Sequence, residues 1–449
     1  MKVVAFNGSS REDRNTAALL RNMLSLVMSA LLLCATMTAA AVEPDAQVIV
    51  DSSTLRGRVM CGYQTWFRCP GDASGIGWYH WVRNRNEFRA DLLTVDLWPD
   101  VSVYPESETF SVPGFTHPDG SQARLFSSDS PAVVARHFEL LRDYGIDGVW
   151  LQRFLVSLPG KSPLPPDFCE TYSASHRRIT EHIRKSAKET GRVWAISYDV
   201  AGMPTEHVYE TLVANWKQTV DAGIVKDDRY MKHDGLPVVQ IWGFYYNNDA
   251  NRMTADLANR LIDFFEQPGD YQATLVGGGS WDWRTNPDPQ WRAFYKRFKV
   301  YCPWNIGNFA PAADDPQQRG ASMGFWEDDR KAAEENGTLW IPTVYPGFSW
   351  DNLTRVEPGK TCVPRRKGMF LWEQFRKLAE MNQTSVYVSM LDEYDEGTAI
   401  LPVCDTPPAQ GHFVGNEGMP RDWYLHIVGQ GAKMLRREIP RSRAIPPMD

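Results

Sequence analysis

The chain has 449 residues, 43% hydrophobic and 23% charged, close to the roughly 45–50% and 25% of globular domains, which excludes a disordered, collagen-like or largely membrane-embedded protein. Its formal charge of -7 argues against a nucleic-acid partner held by phosphate neutralisation. Aromatic residues reach 12%, and 17 of them are Trp; a core does not need so many, whereas a cleft for flat, hydroxylated rings does.

The chain opens with two unlike segments. Residues 23–41 read MLSLVMSALLLCATMTAAA, follow Arg21, and end in small residues around Ala39 and Ala41. The apolar run is shorter than the ~20 residues that span a bilayer. This is the layout of a secretory signal peptide with an A-x-A cleavage site; the alternative is an uncleaved anchor. Leu33 before Cys34 does not fit a lipoprotein site. The chain is therefore expected to be secreted or periplasmic, with no membrane attachment after cleavage.

Residues 1–20, MKVVAFNGSSREDRNTAALL, resemble the start of a flavodoxin-like flavin reductase. Asn7-Gly8-Ser9-Ser10 with Asn15-Thr16 would form its phosphate loop. A flavin domain needs far more chain than this. Residues 1–22 are read as an upstream start or fused fragment rather than a domain, and no cofactor is expected. Residues 42–449 carry the fold. Six cysteines remain there, an even count that permits disulfides in an exported chain. Cys61 and Cys69 would close a short loop. No CxxC occurs, so no metal site is expected.

Eight apolar, β-branched runs follow: Val59 to Phe67, Gly148 to Phe154, Val193 to Val200, Pro237 to Phe244, Ala273 to Gly277, Lys299 to Pro303, Thr338 to Tyr345 and Ser385 to Leu391. Helical spacing marks Pro131 to Tyr144, with Ser130 as N-cap, then Tyr172 to Thr190, Glu206 to Ala222, Met253 to Phe265, Pro289 to Phe298, Gly368 to Met381 and Pro420 to Arg437. Strands alternating with helices predict a parallel sheet, and eight units predict a single α/β domain, a (β/α)8 TIM barrel. Residues 68–130 break the rhythm. They form a long loop insertion after strand 1, with two β-like fragments around Asp96 to Tyr104.

Barrel chemistry sits where strands end. Those ends carry Tyr63, Trp66, Tyr198, Asp199, Trp242, Trp281, Trp304 and Trp350. Aromatic faces stack on sugar C–H faces while nearby polar groups bond the hydroxyls, so these are candidate substrate-binding residues for a carbohydrate partner. After strand 8 comes Asp392-Glu393-Tyr394-Asp395-Glu396-Gly397. Carboxylates this close raise one another's pKa, which suits a hydrolase that splits a pair into acid and base. In a helical turn Glu393 and Glu396 would share a face with Cβ atoms ~5–6 Å apart. Carboxyls ~5–5.5 Å apart suit a retaining glycosidase. A solvated acidic turn or an oxygen-ligand cation site is the alternative.

These features resemble the endo-α-mannosidase family, glycoside hydrolase family 99, and its bacterial relatives grouped with family 71. The family closes its barrel with N-E-W-H-E-G, against Asp392 to Gly397 here. A second match is P-x-x-x-P-G-aromatic, here Pro342, Pro346, Gly347 and Phe348. The likeness runs in element order over most of residues 58–437. It implies retention through a 1,2-anhydro-sugar. Glu393 would be the base on the sugar's own 2-hydroxyl, Glu396 the general acid, and Asp392, at the family's Asn position, a sugar ligand. Tyr394 and Asp395 replace Trp and His. The family's H-x-E-P-Y at strand 3 is replaced by Ser197-Tyr198-Asp199-Val200-Ala201, with Asp199 as the stand-in for its glutamate. Xylosidase- or arabinosidase-type activity on the same scaffold and a non-catalytic glycan-binding barrel are the alternatives. Flavin oxidoreductase rests only on residues 1–20.

Overall fold

The computed structural model describes residues 48–245, 253–311 and 315–448. The leader expectations at 1–22 and 23–41 lie outside the described residues. Eight parallel barrel strands follow in chain order: β1 Val59–Tyr63, β2 Gly148–Phe154, β3 Val193–Asp199, β4 Leu236–Phe244, β5 Thr274–Ser280, β6 Val300–Trp304, β7 in two pieces, Leu339–Trp340 and Thr343–Val344, and β8 Val386–Val388. Each pairs with the next, and β1 pairs with both β2 and β8.

The interruption in β7 closes the ring. Leu339 and Trp340 pair with Val300 and Tyr301 of β6, while Thr343 and Val344 pair with Tyr387 and Val388 of β8. Pro342, which has no N–H to give a ladder, stands at the break. Residues Ile49–Asp449 make one compact unit. The α/β barrel fold expected from the strand count is the fold observed.

Outside the ring lie α1 Pro131–Asp143, α2 Pro166–Thr190, α3 Thr205–Asp221, α4 Ala255–Glu266, α5 Pro289–Tyr295, α6 Trp326–Asn336, α7 Met369–Glu380 and α8 Trp423–Leu435. Ser130 caps α1 as expected, its side chain accepting from the Val133 N–H. α2 starts six residues earlier than its apolar spacing indicates, because Pro166 is already shaped for a first turn. α6 is a helix that the apolar pattern does not show. Its sequence WEDDRKAAEEN buries only Trp326, Asp329 and Ala333.

The insertion differs from expectation. Asp96 to Tyr104 holds a short 3₁₀ turn, Val101–Val103, and one bridge from Pro99 to Val403. The β-structure comes later, as a hairpin of Thr109–Thr116 and Gln122–Phe126. The disulfide expectation also fails. All six described cysteines are free; Cys61 is buried in β1, and the Cys69 thiol donates to the Phe126 carbonyl at 3.3 Å.

Register sets which side chains enter the barrel. Gln152 lies beside Ser197, Phe154 beside Asp199, and Trp242 beside Asp199 from the other side. Inside, Gln152 Nε2 donates to the Tyr387 hydroxyl at 2.9 Å. A Cβ on Gly62 would lie 2.2 Å from that hydroxyl and from Met390. Only glycine leaves room for this interior layer directly beneath the strand ends.

Candidate active site

The segment after β8 is a closed loop, not a helical turn. Thr398 and Ala399 N–H groups both donate to the Glu393 carbonyl, at 3.2 and 3.0 Å. Gly397 takes φ 65°, which L side chains rarely adopt, and a Cβ there would sit 2.8 Å from Ser349 N. The Ser349 N–H in turn donates to the Glu396 carbonyl at 2.9 Å. The loop folds against neighbours instead of winding, so Glu393 and Glu396 are placed by tertiary contacts.

Asp392 anchors the loop to β1. It is fully buried, and its two oxygens accept the Gln64 and Thr65 N–H groups at 2.7 and 2.9 Å. This ends β1 at Tyr63, four residues short of the apolar run, since those N–H groups leave the ladder and Thr65 turns to φ 54°. Gln64 thereby reaches Glu393, its Nε2 donating to Oε1 at 2.5 Å, while the Thr398 hydroxyl donates to Oε2 at 2.7 Å. The buried Arg68 guanidinium holds the same turn through the Thr65 and Phe67 carbonyls, at 2.7 and 2.9 Å.

The insertion covers this side, as a long loop on the C-terminal face should. Asp96 and Leu97 N–H groups donate to the Tyr394 carbonyl, and the Tyr394 ring is buried among Phe67, Trp81 and Phe126. Tyr394 therefore points away from the glutamates. Asp395 points toward them and meets His80 of the insertion, Oδ2 to Nδ1 at 3.1 Å. His80 lies flat on Trp66, with ring centres 3.9 Å apart, and Trp66 also stacks on Phe154.

Burial dominates the electrostatics. It lifts Asp199 and Asp392 each to about 7. It also raises Glu393, Asp395 and Glu396, and the charge of Asp395 pushes Glu393 up further. Burial and Arg68 push His80 down to about 3, so the His80–Asp395 contact joins a neutral ring to a carboxyl whose own pKa burial raises. The two glutamates differ. Two donors favour the charged form of Glu393, whereas the half-buried Glu396 carboxyl accepts no hydrogen bond from the described residues and faces the charges of Glu393, Asp395 and Asp199. When the pair holds one charge, Glu393 carries it and Glu396 keeps its proton. Such an inequality is what separate base and acid roles would need.

The same shifts set a stability trend. Each of these carboxyls binds its proton more tightly when folded than at its unfolded pKa of about 4. Buried His80, His137 and His176, lowered to about 3, act the other way only below about 6.5; above that the carboxyls alone hold the extra protons, so stability falls as pH rises. The unfolding temperature is expected to be higher at pH ~6.5 than at pH ~8. Asp199→Asn is expected to flatten the slope. Thermal melts followed by circular dichroism check this; a melting temperature that climbs between those pH values would contradict it.

The structure gathers some of the expected residues and not others. Asp199 faces inward, its Oδ1 accepting the Ala201 N–H at 2.7 Å. Trp242 and Trp304 meet inside the barrel mouth at 5.9 Å, and Trp304 rests on Tyr387. Trp66 lies opposite on His80. Trp281 and Trp350 stand on the loops after β5 and β7, 39% and 37% exposed, backed by Phe325 and Phe348.

Three expectations are corrected. Tyr63 is fully buried outside the barrel wall and bonds His137 Nδ1 at 2.7 Å. Tyr198 likewise donates to Asn215 of α3 at 2.8 Å. Asp392 has both oxygens occupied by backbone and no surface to offer a sugar; it positions the loop. Gln64, His80 and Thr398 are the site residues that sequence reasoning missed. Among the described residues no cluster of three or more His, Cys, Asp or Glu has the geometry to hold a metal ion, and no helix is long and apolar enough to cross a membrane.

No protein-family model matches this sequence, and no curated protein matches it. Solved structures do. The family 99 endo-alpha-mannosidase of Bacteroides thetaiotaomicron superposes with a TM-score of 0.61 at 14% identity, over 86% of this chain and 99% of that one. The same enzyme in complex with bis-tris-propane gives 0.60 at 15% identity over the same shares. The chain shares their fold. Identity this low carries the fold alone.

Proposed function

We propose that the chain is an exported, retaining glycoside hydrolase acting on a polysaccharide or glycan. The observation that carries this is the unequal surroundings of Glu393 and Glu396 at the end of β8: two donors on one, none on the other. The shared fold with an endo-alpha-mannosidase over 86% of the chain supports it.

In this reading the ionised Glu393 takes the proton of the sugar's 2-hydroxyl. That oxygen attacks the anomeric carbon as the bond to the leaving oxygen breaks, and Glu396 gives its proton to the leaving oxygen. A 1,2-anhydro-sugar results. Water then attacks the anomeric carbon, the now ionised Glu396 takes its proton, and Glu393 returns one to the 2-oxygen. Two inversions give net retention. Gln64 and Thr398 oppose the effect of burial and favour the charged form of Glu393 over that of Glu396. The low-dielectric surroundings keep Glu396 protonated near neutral pH, as a general acid requires. Trp66 on one side and the Trp242–Trp304 pair on the other offer faces for sugar rings. Export by residues 23–41 belongs to the same reading and places the enzyme with extracellular or periplasmic glycans.

Incubation with α-mannan, xylan, arabinan and other polysaccharides, followed by reducing-end release, tests the proposal. Cleavage of at least one by the wild type is expected. Binding across the panel without turnover of any member would refute it in favour of a non-catalytic glycan-binding barrel.

A further inference from the structure

Outside the barrel wall, between α2 and α3, lies a cavity of about 880 Å³ that the candidate active site does not use. Its size falls within the roughly 300–1,000 Å³ of small-molecule sites. Neighbouring helices ordinarily close-pack. Here two helix faces line open space instead, with Ser173, His176 and Thr180 on α2 and Thr211, Asn215 and Gln218 on α3. The spacing is helical on both sides, so each helix turns one continuous face to the gap. Both helices bring hydroxyl and amide groups to the gap among the apolar atoms that line most of it, a mixture that suits a sugar ring with its C–H faces and its hydroxyls.

The floor carries a cation. Arg153 leaves β2 outward, and its Nη1 donates to Asn215 Oδ1 and Thr219 Oγ1, both at 2.9 Å. Its guanidinium also lies 5.8 Å from the Tyr198 ring. All these partners are neutral, and among the described residues no carboxylate pairs with it. A half-buried guanidinium held only by neutral groups keeps its capacity for a bidentate bond to an oxyanion. The exposed rim is mixed, with Lys161 and Arg177 against Glu170 and Glu210, while Glu181 is tied to Arg184 at 3.0 Å. The floor therefore sets the preference. Phe154 lines the cavity and also stacks on Trp66 of the candidate active site, so the two sites share a wall.

We propose that this cavity is a second glycan site that seats a carboxylated sugar residue, its carboxylate on Arg153. The choice of a sugar rests on the glycosidase reading; the anion seat rests on Arg153.

Calorimetric titration of the full chain tests it, with a galacturonate hexamer, cellohexaose and inorganic phosphate as probes. The galacturonate hexamer is expected to bind, and cellohexaose at least tenfold more weakly. Arg153→Gln is expected to weaken the uronate by tenfold or more. Ala214→Trp, at an exposed α3 position facing the cavity, is expected to do the same by filling it, without touching Arg153. Phosphate binding as tightly as the hexamer, with the same dependence on Arg153, would overturn the sugar assignment. No uronate binding, or binding indifferent to both substitutions, would overturn the site. Uronate binding that depends on Arg153, in a chain that turns over no polysaccharide, would sustain the site while refuting the glycosidase reading.

Discussion

Glu396→Gln is expected to lower turnover of a natural glycan by about 10²–10⁴-fold, the usual contribution of a general acid. The side chain is half-buried and bonded to no described residue, so the amide fits the same space. The fold is not expected to weaken, because the substitution also removes a carboxyl from beside Glu393, Asp395 and Asp199. The loss should shrink on an aryl glycoside whose phenol leaves without a proton. Steady-state kinetics on the two substrates separate the roles. An equal loss on both would mean that Glu396 does not act as the acid, and full activity on the glycan would remove it from the mechanism.

Asp392→Ala is expected to cost about 2–6 kcal/mol of stability, since it strips partners from two buried backbone N–H groups at about 1–3 kcal/mol each. Both belong to the turn that places Gln64 on Glu393. Turnover should therefore fall as well, even where the variant is fully folded. Asp392→Asn should keep one of the two bonds and turn an NH₂ toward the other N–H, giving an intermediate loss. Gln64→Ala separates placement from folding. It removes a donor that favours charged Glu393, so the pKa of Glu393 should rise and the acid limb of the kcat profile should move to higher pH, with KM little changed. Urea unfolding and pH–rate profiles check these outcomes. An unshifted acid limb in Gln64→Ala would show that Gln64 does not tune Glu393.

The barrel was legible because its strands are buried on both faces and read as continuous apolar runs. α6 was not, because Trp326–Asn336 turns a nearly all-polar surface to solvent and has no apolar stripe. The acidic loop after β8 was legible from charge density alone. Its shape was not, because Gly397 and the Ser349 contact replace local helical bonds with tertiary ones. Residue type alone suggests Tyr63 and Tyr198 as ligands, but strand alternation turns both outward. Asp199 and Tyr198 are adjacent on one strand, so only one can face inward, and Asp199 is the one that does. At β1 the left-handed Thr65 ends the strand and brings Gln64, not Tyr63, to Glu393. His80 reaches Asp395 from 315 positions away, a pairing that no spacing within the loop announces.

In the proposed mechanism, unequal hydrogen bonding at Glu393 and Glu396 sets base against acid, and the sugar's own 2-hydroxyl as nucleophile gives retention. The direct measurement is proton NMR of the first anomer released from a cleaved polysaccharide, recorded before mutarotation. The expected product has the anomeric configuration of the bond that was cut. A first product of opposite configuration would contradict it and require water to attack the anomeric carbon directly.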